Sequence, residues 1–273
     1  MSEVVSLRDA ASPQQPEWRV ERFDTLGSTN DAARRLAMAG DPGRIWIVAS
    51  EQTQGRGRLG RHWTSPPGNL YASALLVDPA PIAIAAQIGF VAGVALQAAA
   101  ADLGAGEVQL KWPNDLVHRG AKLAGLLAEG VSLGEGRLAC IIGIGVNCVF
   151  APDGLAYPTT TLQAALGRPV TPDELFARLA PRFDEALRLW SGGAGFAGVR
   201  EAWLTHAAGL SGPIRIAGAN GAREGLFETL DAQGRLVLRM ADGLETIETG
   251  DLIFLSTRDG ASTLISPESN TQQ

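Results

Sequence analysis

Residues 45–65 read IWIVASEQTQGRGRLGRHWTS. The first six, Ile45 to Ser50, form the continuous apolar run expected of a buried strand. That strand delivers the chain into a loop where Gly55, Gly57 and Gly60 alternate with Arg56, Arg58 and Arg61, followed by Trp63. Arginine brings a permanent charge and a planar fork of donors suited to phosphate or carboxylate. Glycine lets the backbone turn freely and come close to a ligand. Such a loop can stay open when empty and close over a polyanion when full. Taken by itself it also fits a solvated basic surface loop, so its surroundings have to decide.

Upstream, Trp18 to Leu26 reads as a strand, and Gly27-Ser28-Thr29-Asn30-Asp31 as a turn opening a helix through Ala32, Ala33, Leu36 and Ala37, with Gly40 as its stop. Ser28, Thr29 and Asn30 can simply cap that helix, or offer hydroxyl, amide and N–H groups to a polar ligand. Downstream, Asn69 to Val77 is the next strand and Pro81 to Ala101 an alanine-rich buried helix, broken by glutamine and glycine and so not a membrane span. Val108 to Trp112 is a strand ending at a Pro113-Asn114-Asp115 turn. Leu123 to Ser132 and Leu138 to Val149 form an antiparallel pair. A helix over Asp173 to Trp190 buries one face, a flexible glycine-rich piece covers Ser191 to Gly198, and a last helix covers Phe196 to Ala208. From Gly212 four short strands around 214–216, 225–227, 236–238 and 253–255 suggest a small barrel. The expected divisions are a disordered 1–17, a large domain over 18–210, a barrel over 211–257 and a loose tail over 258–273.

The totals limit the function. A chain of 273 residues with net charge -6 lacks the broad basic face of a general nucleic-acid binder. Two cysteines, Cys140 and Cys148, are too few for a disulfide scaffold. No secretory leader opens the sequence, so the cytoplasm is the expected location. Lys and Arg total 23, yet only Lys111 and Lys122 are lysine. A chain that uses arginine elsewhere points to a specific need for a compact ammonium at those two places. His62, His118 and His206 have no metal-ligand spacing with one another or with cysteine.

Four elements therefore carry the chemistry: the helix start at Ser28 to Asn30, the arginine loop, Lys111 to Asp115 with Lys122, and Gly143 to Asn147. Each lies where a strand meets a turn, the usual place for function on a rigid sheet. In this order and spacing GSTND, EQTQGRGRLGRHW, SPPGNLY, KWPNDL, KLAGLLAE and GIGVNC resemble the catalytic domain of a biotin protein ligase, and GLFETLDAQGRLVLRMADGLETIETGDLI resembles that family's SH3-like C-terminal domain. The resemblance spans Trp18 to Leu255. It implies an α+β fold: a mixed, largely antiparallel sheet with flanking helices, like a class II synthetase, plus a small SH3-like β-barrel. It also implies a two-step ligase. Biotin attacks the α-phosphate of ATP to give biotinyl-5′-AMP, and a lysine of a biotin carboxyl carrier protein, from acetyl-CoA carboxylase or another biotin-dependent carboxylase, then takes the biotin.

By the same resemblance Ser28, Thr29, Asn30 and Gln52 hold the biotin ring and its ureido group, with Gly55, Arg56, Gly57, Arg58, Lys122 and Gly125 completing the biotin site. The ATP site takes in Arg56, Arg58, Arg61, Trp63, Lys111, Asn114, Asp115, Lys122 and Asn147. Arg56, Arg58, Lys111, Asp115 and Lys122 are the expected catalytic group. No metal ligand set is evident, and Mg2+ is expected on the ATP phosphates near Asp115. Leu59 departs from the family, where many members carry another basic residue. About seventeen residues precede the first strand, too few for the helix-turn-helix of repressor-type members, so no DNA binding is expected. A sheet edge or the barrel could serve a homodimer. Two other readings share these features: a lipoate or octanoate ligase or transferase of the same fold, and a biotin-adenylate-binding regulator. A third, an RNA-binding module, fails because the barrel is not basic.

Overall fold

The computed structural model describes residues 17–218, 221–258 and 261–264. The chain begins with strand β1 (Arg19–Leu26), helix α1 (Thr29–Met38), β2 (Ile45–Gln52) and β3 (Leu70–Val77). A 3-10 segment at Ile82–Gln87 leads into α2 (Ile88–Asp102). Then come β4 (Val108–Lys111), β5 (Asp115–His118), β6 (Ala121–Gly134) and β7 (Arg137–Val146). Three helices follow, α3 (Leu162–Leu166), α4 (Pro172–Trp190) and α5 (Phe196–Thr205). Strands β8 (Pro213–Gly218), β9 (Gly221–Leu230), β10 (Leu236–Met240), β11 (Gly243–Ile247), β12 (Asp251–Arg258) and β13 (Ala261–Leu264) complete the C-terminal barrel.

The large sheet has the order β1-β2-β3-β7-β6-β5-β4, with β1 and β2 parallel and every other pair antiparallel. This is the mixed, largely antiparallel sheet expected. Its two faces follow from the period of two along a strand. Leu70, Ala72, Ala74 and Leu76 of β3 point with Cys140, Ile142, Ile144 and Val146 of β7 into a core made with α2, α4 and α5. Leu75, Ala139 and Ile141 face the opposite way, under α1. That second face is only half covered. Beyond α1 its residues on β7 are Gly143 and Gly145, and the polar cleft opens there.

Local sequence explains the frame. Thr171 and Glu174 form a reciprocal capping box at the start of α4, with Pro172 in the first turn. Trp46 on β2 is enclosed by the rings of Trp18, Phe176 and Phe183, which ties the sheet to α4. The helix α2 is apolar on all sides because α4, α5 and the sheet surround it.

Several expectations need correction. Asp115 is not a turn residue: it opens β5, opposite Lys111 on β4 and Gly125 on β6. The turn occupies 112–114, and a four-residue strand is too short to show a period in sequence. Ser191 to Gly198 is not a loose piece but a 3-10 turn running into α5. A Cβ on Gly195 would lie 1.8 Å from the Leu189 carbonyl oxygen, so glycine there serves close packing. The barrel sheet has six strands in the order β11-β10-β9-β8-β12-β13, two more than the apolar triplets suggest. The tail expected from 258 instead continues into β13, paired with β12. The expected disorder of 1–17 falls almost wholly outside the described residues, as does the tail beyond 264.

The barrel and the large sheet meet at Trp112, whose buried Nε1 donates to the Gly234 carbonyl at 3.2 Å. Trp112→Phe keeps the ring but strands that buried carbonyl. The urea midpoint is expected to fall by the equivalent of about 1–3 kcal/mol; an unchanged midpoint would show that the bond contributes nothing to the junction.

Candidate active site

The cleft on the half-covered face encloses about 780 Å3, open mouth included. One wall is the start of α1. Ser28 is its N-cap, accepting from Asp31 N at 3.4 Å. Thr29 N donates to Gln52 Oε1 at 2.8 Å, and the Thr29 hydroxyl lies 3.0 Å from the same oxygen. Asn30 Nδ2 donates to Glu129 Oε2 at 2.7 Å, and its Oδ1 accepts from Ser73 Oγ at 2.6 Å. Gln52 Nε2 donates to Ser65 Oγ at 3.1 Å. Every group on this wall is therefore held in a set orientation before any ligand arrives.

The floor is shaped by absent side chains. A Cβ on Gly143 would lie 2.4 Å from Asn30 Oδ1, and one on Gly145 would lie 2.6 Å from Trp63 Nε1. Gly125 approaches the Trp63 ring similarly, at 3.2 Å. Alternating isoleucine and glycine in IGIGVNC, residues 142–148, thus sends Ile142 and Ile144 to the core and leaves a flat seat for the indole. The Trp63 Nε1 is buried and has no hydrogen-bond partner.

The arginine loop forms the opposite wall. Its base is closed by the Trp63 N to Gly55 O bond of 2.9 Å, and a Cβ on Gly55 would meet the Trp63 carbonyl at 2.3 Å. Gly55 is thus required by its own loop, and it does not line the cleft. Leu59 sits at the exposed tip in the left-handed region, φ 56°. Arg56 donates to Asp31 Oδ1 at 2.6 Å. Arg58 donates to Asn114 Oδ1 at 3.1 Å and to Thr249 Oγ1 at 3.1 Å. Arg61 pairs with Asp251, which raises the guanidinium above its usual value. The loop is thereby latched to α1 on one side and to the barrel on the other.

Lys122 lies between the walls. Its Nζ is 2.8 Å from Asp115 Oδ1 and 5.4 Å from the centres of the Trp63 and Tyr157 rings. Asn114 is fixed by donating to Leu126 O at 2.7 Å. Of the residues expected from sequence, Ser28, Thr29, Asn30, Gln52, Arg56, Gly57, Arg58, Arg61, Trp63, Asn114, Asp115, Lys122 and Gly125 come together around this one cleft. Lys111 and Asn147 do not line it. Lys111 turns toward the barrel, its Nζ 5.4 Å from the Phe254 ring centre. Asn147 is buried and donates to Thr160 O at 3.3 Å, bracing the segment after β7. Sequence reading missed Ser73, Glu129, Tyr157 and Asp251. A lone serine inside the apolar strand LYASALLV was a usable signal; Asp251, remote in the chain, offered none.

Comparisons with known proteins point to one family. Residues 23–147 match the model of the biotin/lipoate A/B protein ligase family, and residues 213–255 match that of the biotin protein ligase C-terminal domain. The biotin–[acetyl-CoA-carboxylase] ligase of Paracoccus denitrificans is 40% identical over 241 residues, covering 83% of this chain and 97% of the relative. The bifunctional ligase/repressor BirA of Bacillus subtilis is 30% identical, covering 84% of this chain and 72% of the relative. A biotin protein ligase from Aquifex aeolicus, solved in complex with biotin and ATP, superposes with a TM-score of 0.74 at 27% identity, covering 86% of this chain and 97% of that one.

Burial lowers the Lys111 pKa from 10.5, against the opposing pull of Asp115. A folded-state value below the unfolded one means that the folded protein bears a penalty for the charged form. The penalty is complete at neutral pH and fades as pH rises toward 10.5. Lys111→Met is therefore expected to be at least as stable as the wild type in urea at pH 7, with any gap closing near pH 10. A variant clearly less stable at pH 7 would contradict the desolvation account.

Proposed function

The chain belongs to the biotin protein ligase family, and on that premise we propose that it activates biotin with ATP as biotinyl-5′-AMP and passes the biotin to a lysine of a biotin carboxyl carrier protein. The observation that carries this reading is the meeting, in one cleft, of a neutral hydrogen-bonding wall and a cationic one. The neutral wall of Ser28, Thr29, Asn30 and Gln52 suits a ureido ring, which offers N–H donors and a carbonyl acceptor. The cationic wall suits a carboxylate meeting a triphosphate.

Bringing those two anions together is opposed by their like charge. Arg56, Arg58 and Lys122 offset it as charge moves in the transition state. The Asp115 carboxylate, 2.8 Å from Lys122 Nζ, holds the ammonium in the cleft. Trp63 on its glycine seat presents a flat face to the nucleotide, with Arg61 and Asn114 beside it. Among the described residues no three His, Cys, Asp or Glu side chains gather as a metal site. Magnesium would be carried on the ATP phosphates near Asp115 and would supply charge neutralisation there. Lys111 and Asn147 act as supports at the barrel junction and behind the floor. The acyl-adenylate is a mixed anhydride that water destroys, so the latched loop also serves to keep the cleft dry. In this reading 18–210 forms the catalytic unit and 211–257 the barrel that anchors Arg58 and Arg61. The enzyme acts in the cytoplasm, and a sheet edge or the barrel is available to a second copy.

Purified protein with magnesium is expected to exchange labelled pyrophosphate into ATP with biotin, and not with lipoate or octanoate. Exchange with lipoate or octanoate in place of biotin would move the chain to the lipoyl branch; no exchange with any acid would sink the adenylation reading. Lys122→Ala should lower biotin-dependent exchange by about a hundredfold, the usual effect of removing one fixed charge donor, while the circular dichroism spectrum is unchanged. Near-normal exchange would remove Lys122 from the chemistry.

A further inference from the structure

We infer that Ser73 and Glu129, neither of which lines the cleft, are positioning residues that set the direction of the hydrogen bonds on its neutral wall. The inference rests on biotin being the ligand. Ser73 is fully buried on β3. Its Oγ is 2.7 Å from Thr29 Oγ1 and 2.6 Å from Asn30 Oδ1, yet a hydroxyl has one hydrogen. Thr29 Oγ1 is in turn 3.0 Å from Gln52 Oε1. Three oxygen–oxygen contacts thus share two hydroxyl hydrogens, and one contact has none.

Glu129 decides which. Its carboxylate only accepts, taking Asn30 Nδ2 on Oε2 at 2.7 Å and Arg34 Nη2 on Oε1 at 3.1 Å. The Asn30 amide is therefore turned with Nδ2 toward Glu129 and, at a longer 3.4 Å, the Leu127 carbonyl, and with Oδ1 toward Ser73. Ser73 must donate to Asn30, and so can only accept from Thr29. Leaving the 2.7 Å contact without a hydrogen would set two oxygens against each other at the shorter of the two remaining separations. The contact that goes without is the longer one, between Thr29 and Gln52. Both of these residues line the cleft. They present two acceptor oxygens that repel each other until a donor arrives, and a ligand N–H of ureido type is that donor. Gln52 Oε1 keeps its bond from Thr29 N throughout.

Two substitutions break the chain at different links. Ser73→Ala frees the Thr29 hydroxyl to donate to Gln52 Oε1, which, with the bond from Thr29 N, takes up the lone pair that Gln52 would offer the ligand. Glu129→Gln has the same shape, but its oxygen is claimed by Arg34, so its NH2 faces Asn30 and turns that amide over, at the loss of the long 3.4 Å bond from Asn30 Nδ2 to the Leu127 carbonyl. Asn30 then donates to Ser73, Ser73 to Thr29 and Thr29 to Gln52, with the same result at the cleft. In biotin-dependent pyrophosphate exchange each variant is expected to raise KM for biotin about tenfold with kcat within about twofold, the pattern of lost uniform binding. Each should also lose the wild-type preference for biotin over biotin methylated at one or the other ureido nitrogen, which a merely structural role would not change. Unaltered KM and preference in folded variants, or a loss confined to kcat, would overturn the inference while leaving the ligase reading intact. Should Ser73→Ala fail to fold, the isosteric Glu129→Gln decides the matter. A wild type without biotin-dependent exchange would instead overturn the ligase reading, and this inference with it.

Discussion

The cleft depends on one constraint, the strict alternation of faces along β7. Ile142, Ile144 and Val146 are buried in the helical core, so the residues between them must face the other way. Those residues are Gly143 and Gly145. Their missing side chains allow Asn30 to reach β7 and the Trp63 indole to lie flat against it. One slip of register would put isoleucine into the cleft and glycine into the core. The apolar pattern that stabilises the sheet therefore also fixes the floor of the site. Ser73 on β3, paired in register with Gly143, belongs to the same line of small residues.

The two walls are held by bonds of different strength, and this suits different tasks. The neutral wall is a buried hydrogen-bond network, where an unmet partner costs about 1–3 kcal/mol. It is fixed before binding and can discriminate by donor and acceptor. The cationic wall is latched through partly exposed pairs, Arg56 with Asp31 and Arg61 with Asp251. Exposed pairs are typically worth about 0–1 kcal/mol. A phosphate can replace such partners at little cost, so the latches hold the loop without locking it. Trp112, joined to Gly234, and Arg58, joined to Thr249, make the barrel part of this frame.

Much of this was legible from residues alone. The apolar run at 45–50, the capping sequence of α1, the β6–β7 pair and the α4 stripe all carry their own period or cap. The four chemical motifs stood out because they break those patterns at strand ends. Less legible were β5, too short to show a period, and β13, four residues within a stretch of polar composition. The glycines at 192–195 read as freedom but serve contact, since Gly195 touches the Leu189 carbonyl. A glycine in sequence does not say whether its space is used for motion or for packing.

The sequence by itself determined the class of fold, the order of the elements and the residue types of the site, because hydrophobic period, capping and turn chemistry act over a few residues. Only the tertiary structure decided which of those residues meet. It separated Lys111 and Asn147 from the cleft, brought Asp251 to Arg61 across 190 positions of chain, and set Ser73 beneath Thr29 and Asn30. Such meetings depend on sheet order and on the direction in which each strand turns its side chains. Hydrogen-bond polarity adds a further requirement. It belongs to no single residue, since each hydroxyl donates or accepts according to neighbours that the fold alone supplies.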